Sequence, residues 1–232
     1  MASSNGGAPS PGPRRRPDQT PPAGPRDRYG SVLLLLVGSY LLSAFLANEI
    51  VPIAVYTVAL LIALRTSGPP GRRGRWLRWM LLLGSVAAAA ATIVTTRPLV
   101  HGLAAVWLAG ILLATIVVVV RRVVRHHVVT AQTIFGALSA YLLIGFLFVA
   151  LFAALAHLDT EPLFADGRPA AADTIQYFSF VTLTTTGYGD YTAASTAGRA
   201  LAVLEALSGQ LFLVTLLARL VSLFGTAPRR KL

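Results

Sequence analysis

The sequence predicts an all-α transmembrane chain. Six membrane-spanning helices are expected, with a short re-entrant helix and an extended return between the fifth and the sixth. Three observations carry this. The 232 residues are 55% hydrophobic, with a mean hydropathy of +0.66 and a charged fraction of only 12%. Ordinary globular domains carry roughly 25% charged residues. Apolar runs recur along the chain, and most reach the about 20 residues a helix needs to cross hydrocarbon. The stretch TLTTTGYGD, residues 182–190, breaks the pattern with four threonines, two glycines and a carboxylate. A soluble helical core would need polar helix faces, which these runs lack.

The six apolar segments cover about 30–48, 50–65, 76–96, 100–122, 130–157 and 197–224. The second is short for a span. Residues 1–28 are rich in Pro, Gly, Ser and Arg and lack the apolar content to fold alone, so a disordered tail is expected. The first apolar run begins too far from the start, and lacks a small-residue cleavage site, to read as a signal peptide.

The connecting charges set the orientation. The N-terminal tail carries five Arg, and the turn near Asn48 and Glu49 carries none. The next connection holds Arg65, Arg72, Arg73, Arg75 and Arg78, and the following turn only Arg97. Arg121, Arg122 and Arg125 come next, and Arg229, Arg230 and Lys231 close the chain. Basic and nearly neutral connections alternate, which places both termini in the cytoplasm. That result requires an even number of crossings, in agreement with the six segments counted by hydropathy.

Composition also excludes function classes. The net charge is +11, and 19 of the 20 basic residues are Arg. In a soluble domain this balance would point to nucleic acid. Here the arginines flank apolar runs, so membrane topology explains them and no nucleic-acid partner is expected. There is no cysteine, hence no disulfide and no thiolate site. His101, His126, His127 and His157 show no ligand spacing with carboxylates, and no catalytic constellation is present. The chain does not read as an enzyme.

Residues 158–172 form a polar, turn-rich loop on the outer side. Residues 173–184 (DTIQYFSFVTLT) read as a helix of about three turns, too short to span. Asp173 or Thr174 is expected to cap it. The segment must dip in and return. Irregular backbone at membrane depth is tolerated only where protein or water satisfies its polar groups, so it is expected to line an aqueous path.

Thr184-Thr185-Thr186-Gly187-Tyr188-Gly189-Asp190 resembles the signature of the potassium channel family, commonly T-T-V-G-Y-G-D; that filter is itself a standard illustration of ion selectivity by backbone carbonyls. The resemblance covers about 130–224 and includes the order outer helix, pore helix, extended selectivity filter, inner helix. It implies that the carbonyls of Thr185, Thr186, Gly187 and Tyr188 coordinate potassium in successive rings, with the Thr185 hydroxyl as the innermost. A dehydrating potassium ion needs about eight oxygens, more than one chain supplies. The chain carries one signature, so a homotetramer is implied. Gly187 and Gly189 suit the alternating backbone, since glycine takes positive φ without steric cost. Tyr188 is expected to point away from the pore and pack on pore-helix aromatics, with Tyr177 and Phe178 as the candidates. Thr184 supports the filter from the pore-helix end, and Asp190 places a carboxylate near the outer mouth, where it concentrates cations. Thr186 departs from the commoner Val or Ile. Because the carbonyl coordinates, selectivity is expected to survive, and its hydroxyl to add a hydrogen bond behind the filter. Val181 stands where some family members carry a carboxylate, so a filter-bracing acid pair is absent.

In the last apolar segment, Gly209 matches by position the inner-helix glycine associated with a gating hinge; close helix packing is the other reading. Gln210, Leu213 and Leu217 share one helix face and are expected to line the cavity, with Leu217 and Val221 as constriction candidates. Glu205 lies off that face, behind the filter. An ionisable residue within a span is a functional hypothesis by default, and a hydrogen bond to Ser179 or Thr182 is expected because a buried carboxylate needs a partner.

The first four segments resemble the peripheral domain of six-span channels. A voltage sensor needs Arg or Lys at every third position of the fourth span, yet residues 101–120 contain neither. Only a short basic tail follows the last span, so no gate domain is expected in it. The expected organisation is therefore a tail (1–28), a four-helix peripheral domain (29–129), a pore domain (130–225) and a basic tail (226–232). The reading is a passive, potassium-selective channel of the bacterial type with a backbone-carbonyl filter, homotetrameric and not voltage-gated. It sits multi-pass in the cell (plasma or inner) membrane, binds no cofactor beyond transported potassium ions, and has the bilayer and its own copies as partners. The alternatives are a weakly selective cation channel and a non-conducting regulatory subunit.

Overall fold

The structure is a computed structural model, and it describes residues 29–45, 57–58, 72–125 and 131–224. All of its regular elements are helical. These are α1 (Tyr29–Phe45), α2 (Arg72–Val94), α3 (Pro98–Arg125), α4 (Ala131–Leu158), α5 (Ala172–Leu183) and α6 (Thr196–Phe224). The expected second span, apart from Thr57 and Val58, lies outside the described residues. So do both expected tails.

Among the described residues, three helical stretches are long and apolar enough to cross a membrane: Pro98–Arg121, Ile134–Leu158 and Thr196–Arg219. The apolar part of α2, Trp79–Val94, is shorter. Its first turns take in the basic residues from Arg72 onward, which belong to the preceding connection by sequence. α1 is an apolar helix of 17 residues. Pro98 opens α3 at the first helical position, where its missing N–H costs no hydrogen bond.

α4 is the central element and packs against α1, α3, α5 and α6. One core joins α1, α3 and α4 through Leu36, Leu112, Val119, Leu143 and Phe146, with Ala109, Ala140 and Ala150 letting the backbones approach. A second core lies towards the loop end of α4. There Phe152 meets Phe178 at 5.0 Å between ring centroids, and Phe164 meets Phe178 at 5.5 Å.

α5 is docked by size complementarity. Gly145 of α4 faces the Phe180 ring so closely that a Cβ there would overlap it. Phe180 also meets Tyr40 of α1 edge-on at 4.9 Å, and Gln176 Nε2 donates to the Tyr40 carbonyl at 3.2 Å. The short helix thus touches α1, α4 and α6. Its N-terminus differs from the expected cap. The helix starts at Ala172, the N-cap position is Ala171, and no side chain caps it. Asp173 falls in the first turn instead. There its carboxylate accepts the Thr174 N–H at 2.8 Å and faces the positive end of the helix dipole.

The loop before α5 is stapled to the segment after TLTTTGYGD. Phe164 and Ala193 form an antiparallel bridge, with Ala165 N donating to Thr192 O at 2.9 Å and Ala194 N to Leu163 O at 3.0 Å. Ser195 then caps α6, accepting the Gly198 N–H at 3.1 Å.

Candidate functional site

The site begins where α5 ends. Thr184 N donates to Phe180 O at 3.1 Å, Thr185 N to Thr182 O at 2.9 Å and Thr186 N to Val181 O at 3.0 Å. These bonds close the helix and turn the chain out of it. From there every second residue has positive φ: Thr185 at 56°, Gly187 at 58° and Gly189 at 78°. Glycine accepts that region freely, and a β-branched residue does so only under strain. The alternation at Gly187 and Gly189 was expected from their residue type. Its extension to Thr185 was not legible, since Thr is among the residues least suited to it.

The outgoing segment leaves its carbonyls open. Among the described residues, none of the hydrogen bonds is accepted by the carbonyl oxygen of Thr185, Thr186, Gly187 or Tyr188. Four consecutive unpaired carbonyls are unusual, because backbone C=O groups are normally satisfied by protein or water.

The threonine hydroxyls do find partners. Thr184 Oγ1 donates to Phe180 O at 2.7 Å. Its single proton is then committed, so Thr186 Oγ1, 2.9 Å away, is the donor between these two hydroxyls. Thr185 Oγ1 donates to Thr184 O at 2.7 Å and accepts from Gln210 Nε2 of α6 at 3.0 Å.

Tyr188 stacks on Tyr177, with ring centroids 6.5 Å apart and planes 3° from parallel. Phe178, the other expected partner, turns the opposite way into the core with Phe152 and Phe164. Tyr191 takes a place beside Tyr177 at 6.0 Å.

Beyond Gly189 stands a residue that sequence reasoning missed, Arg168. Its guanidinium donates to the Asp190 carbonyl through Nη2 at 2.6 Å, pairs with the Asp166 carboxylate and lies 4.2 Å over the Tyr191 ring. Asp166 accepts the Arg168 backbone N–H at 3.0 Å, and this bond, aided by the guanidinium, holds its carboxyl below the ordinary value of 3.8. The only sequence signal was an Asp two residues before an Arg in a loop, which is common.

Behind this segment, Glu205 of α6 is fully buried. Ser179 Oγ, rather than Thr182, lies 2.5 Å from its Oε1 and also 3.0 Å from Gly145 O. Glu205 Oε2 has no hydrogen-bond partner among the described residues. Four residues on, a Cβ at Gly209 would overlap the Leu183 carbonyl oxygen and touch Leu183 Cδ1 at 3.0 Å. Close packing is therefore what the backbone requires of this glycine. Gln210, Leu213 and Leu217 are exposed in the single chain. The Val221 side chain lies outside the described residues. No group of three or more metal-type ligands occurs among the described residues.

No curated protein matches the chain. Residues 163–225, from the loop before α5 to the end of α6, match the model of a family described as ion channel. This match, with the long apolar helices, supports an ion channel in a membrane and gives no support to an enzyme.

Proposed function

We propose that the chain is a potassium-selective channel that moves ions passively. Four copies would surround one axis, each contributing the carbonyls of Thr185, Thr186, Gly187 and Tyr188 and the Thr185 hydroxyl. The observation that carries this reading is the row of four unpaired carbonyls on a backbone of alternating handedness. Such oxygens replace the hydration shell of a potassium ion.

The homotetramer follows from chemistry and from uncovered surface. One chain has too few oxygens for a dehydrated ion. The α6 face bearing Gln210 is uncovered in the single chain, along with Leu207, Leu211, Val214 and Leu217. A primary amide and a row of open carbonyls cannot face lipid, so that side must meet water and further copies. The six-span arrangement, with cytoplasmic termini in the plasma or inner membrane, rests on the alternation of arginine-rich connections.

Reversal potentials of the purified chain in planar bilayers, with potassium on one side and sodium on the other, test the reading. A reversal close to the potassium equilibrium potential is expected. A reversal near zero would replace it with a weakly selective cation pore.

A further inference from the structure

We propose that Gln210 is a positioning residue for the innermost ion site: its amide holds the Thr185 hydroxyl so that an oxygen lone pair, not the hydroxyl proton, is presented to the ion. This rests on the channel reading above and assigns the inner end of the filter to a partnership between two elements.

A threonine hydroxyl has one proton and two lone pairs. The proton of Thr185 is engaged by the Thr184 carbonyl at 2.7 Å. One lone pair is engaged by Gln210 Nε2 at 3.0 Å. One lone pair remains. A hydroxyl at the end of a water-filled cavity would otherwise rotate and exchange partners with solvent, and a proton turned towards a cation repels it. The amide N–H donor prevents this, because it can approach only the oxygen of the hydroxyl.

The reach of Gln210 is built into the backbone. Gly209 lets α6 run against the C-terminal end of α5, where any Cβ would overlap the Leu183 carbonyl. That contact sets the next residue, Gln210, beside the residue two positions after Leu183. Thr185 in turn is held at a φ of 56°, a conformation costly for a β-branched residue. The amide oxygen of Gln210 accepts no hydrogen bond among the described residues, and the side chain is exposed. In four copies these oxygens would form a polar collar just inside the filter. A neutral amide there donates and accepts without placing a fixed charge on the ion path.

The inner site is the first one an ion meets from the cytoplasmic side. Loss of the Gln210 bond should therefore weaken saturation by internal potassium and leave saturation by external potassium unchanged. The test is single-channel conductance of the full chain in planar bilayers, titrated with potassium on one side at a time. Gln210→Leu, and Gln210→Met as a second variant of similar length, remove the donor. The half-saturating internal potassium is expected to rise about fivefold, the equivalent of one neutral hydrogen bond. In a Thr185→Val background the same change at Gln210 should have no further effect. Unchanged internal saturation in a conducting Gln210→Leu or Gln210→Met channel would overturn the inference, as would a full effect in the Thr185→Val background. Failure of both variants to assemble would also overturn it, since the amide would then serve the fold. A wild-type chain that carries no potassium current would overturn the channel reading itself, and this inference with it.

Discussion

Ser179 on the short helix and Glu205 on the last helix meet with 2.5 Å between Oγ and Oε1, both fully buried. This contact ties the helix that leads into the segment of open carbonyls to the helix that would line the cavity. A carboxylate in such a place needs polar partners. Gln at this position keeps a group that bonds to Ser179, and Leu does not. Glu205→Gln is expected to assemble as wild type, whereas Glu205→Leu should lose about 1–3 kcal/mol of stability. Oligomer retention on heating in detergent reads the difference. Equal behaviour of the two variants would show that the bond does not matter.

Gly209→Ala places a methyl group against the Leu183 carbonyl oxygen, a backbone atom that cannot swing aside. Overpacking of this kind costs about 1–3 kcal/mol. The variant should unfold at lower temperature than wild type. Gly38, with open space around it, is the control: Gly38→Ala should show no such loss. A Gly209→Ala chain as stable as wild type would remove close packing as the reason for the glycine.

The Arg168 clasp has a pH window. Asp166 is held below 3.8 by the Arg168 N–H and guanidinium. A depressed carboxylate contributes stability that is present above its unfolded value and lost as pH falls through its folded value. The clasp should therefore be intact at neutral and mildly acidic pH and open only below the ordinary Asp range. Titration of the Asp166 carboxyl by its carbon-13 shift should give a midpoint below 3.8, moving upward in Arg168→Gln. A wild-type midpoint at or above the ordinary value would contradict the pairing.

Much of this was legible because it depends on local pattern. The spans that became α3, α4 and α6 are long continuous apolar runs, and the length of α5 followed from the turn-rich loop before it and the glycines after it. What stayed hidden depends on residues far apart in the chain. The Arg168 clasp joins two irregular segments 22 residues apart, and Phe178 faces the core because Phe152 and Phe164 converge on it. The positive φ of Thr185 runs against its own propensity and is enforced by the turn out of α5. The Ala171 start of α5 shows a smaller failure: a good capping residue nearby does not fix a boundary to the residue.

The basic residues of α3 predict weak voltage dependence. Residues 101–120 contain no Arg or Lys, and Arg121 lies near the end of the spanning stretch. Without charges distributed through the hydrocarbon there is little gating charge to move. The conductance–voltage relation in symmetric potassium should be shallow. A steep, saturating relation would require gating charge elsewhere.

Potassium flux into liposomes carrying the purified chain tests the central claim most directly. The wild type should take up potassium against a sodium interior. Gly187→Ala should abolish uptake while keeping its oligomeric state, because its φ of 58° is strained for any residue with a Cβ. Absence of flux in the wild type, or undiminished flux in Gly187→Ala, would contradict it.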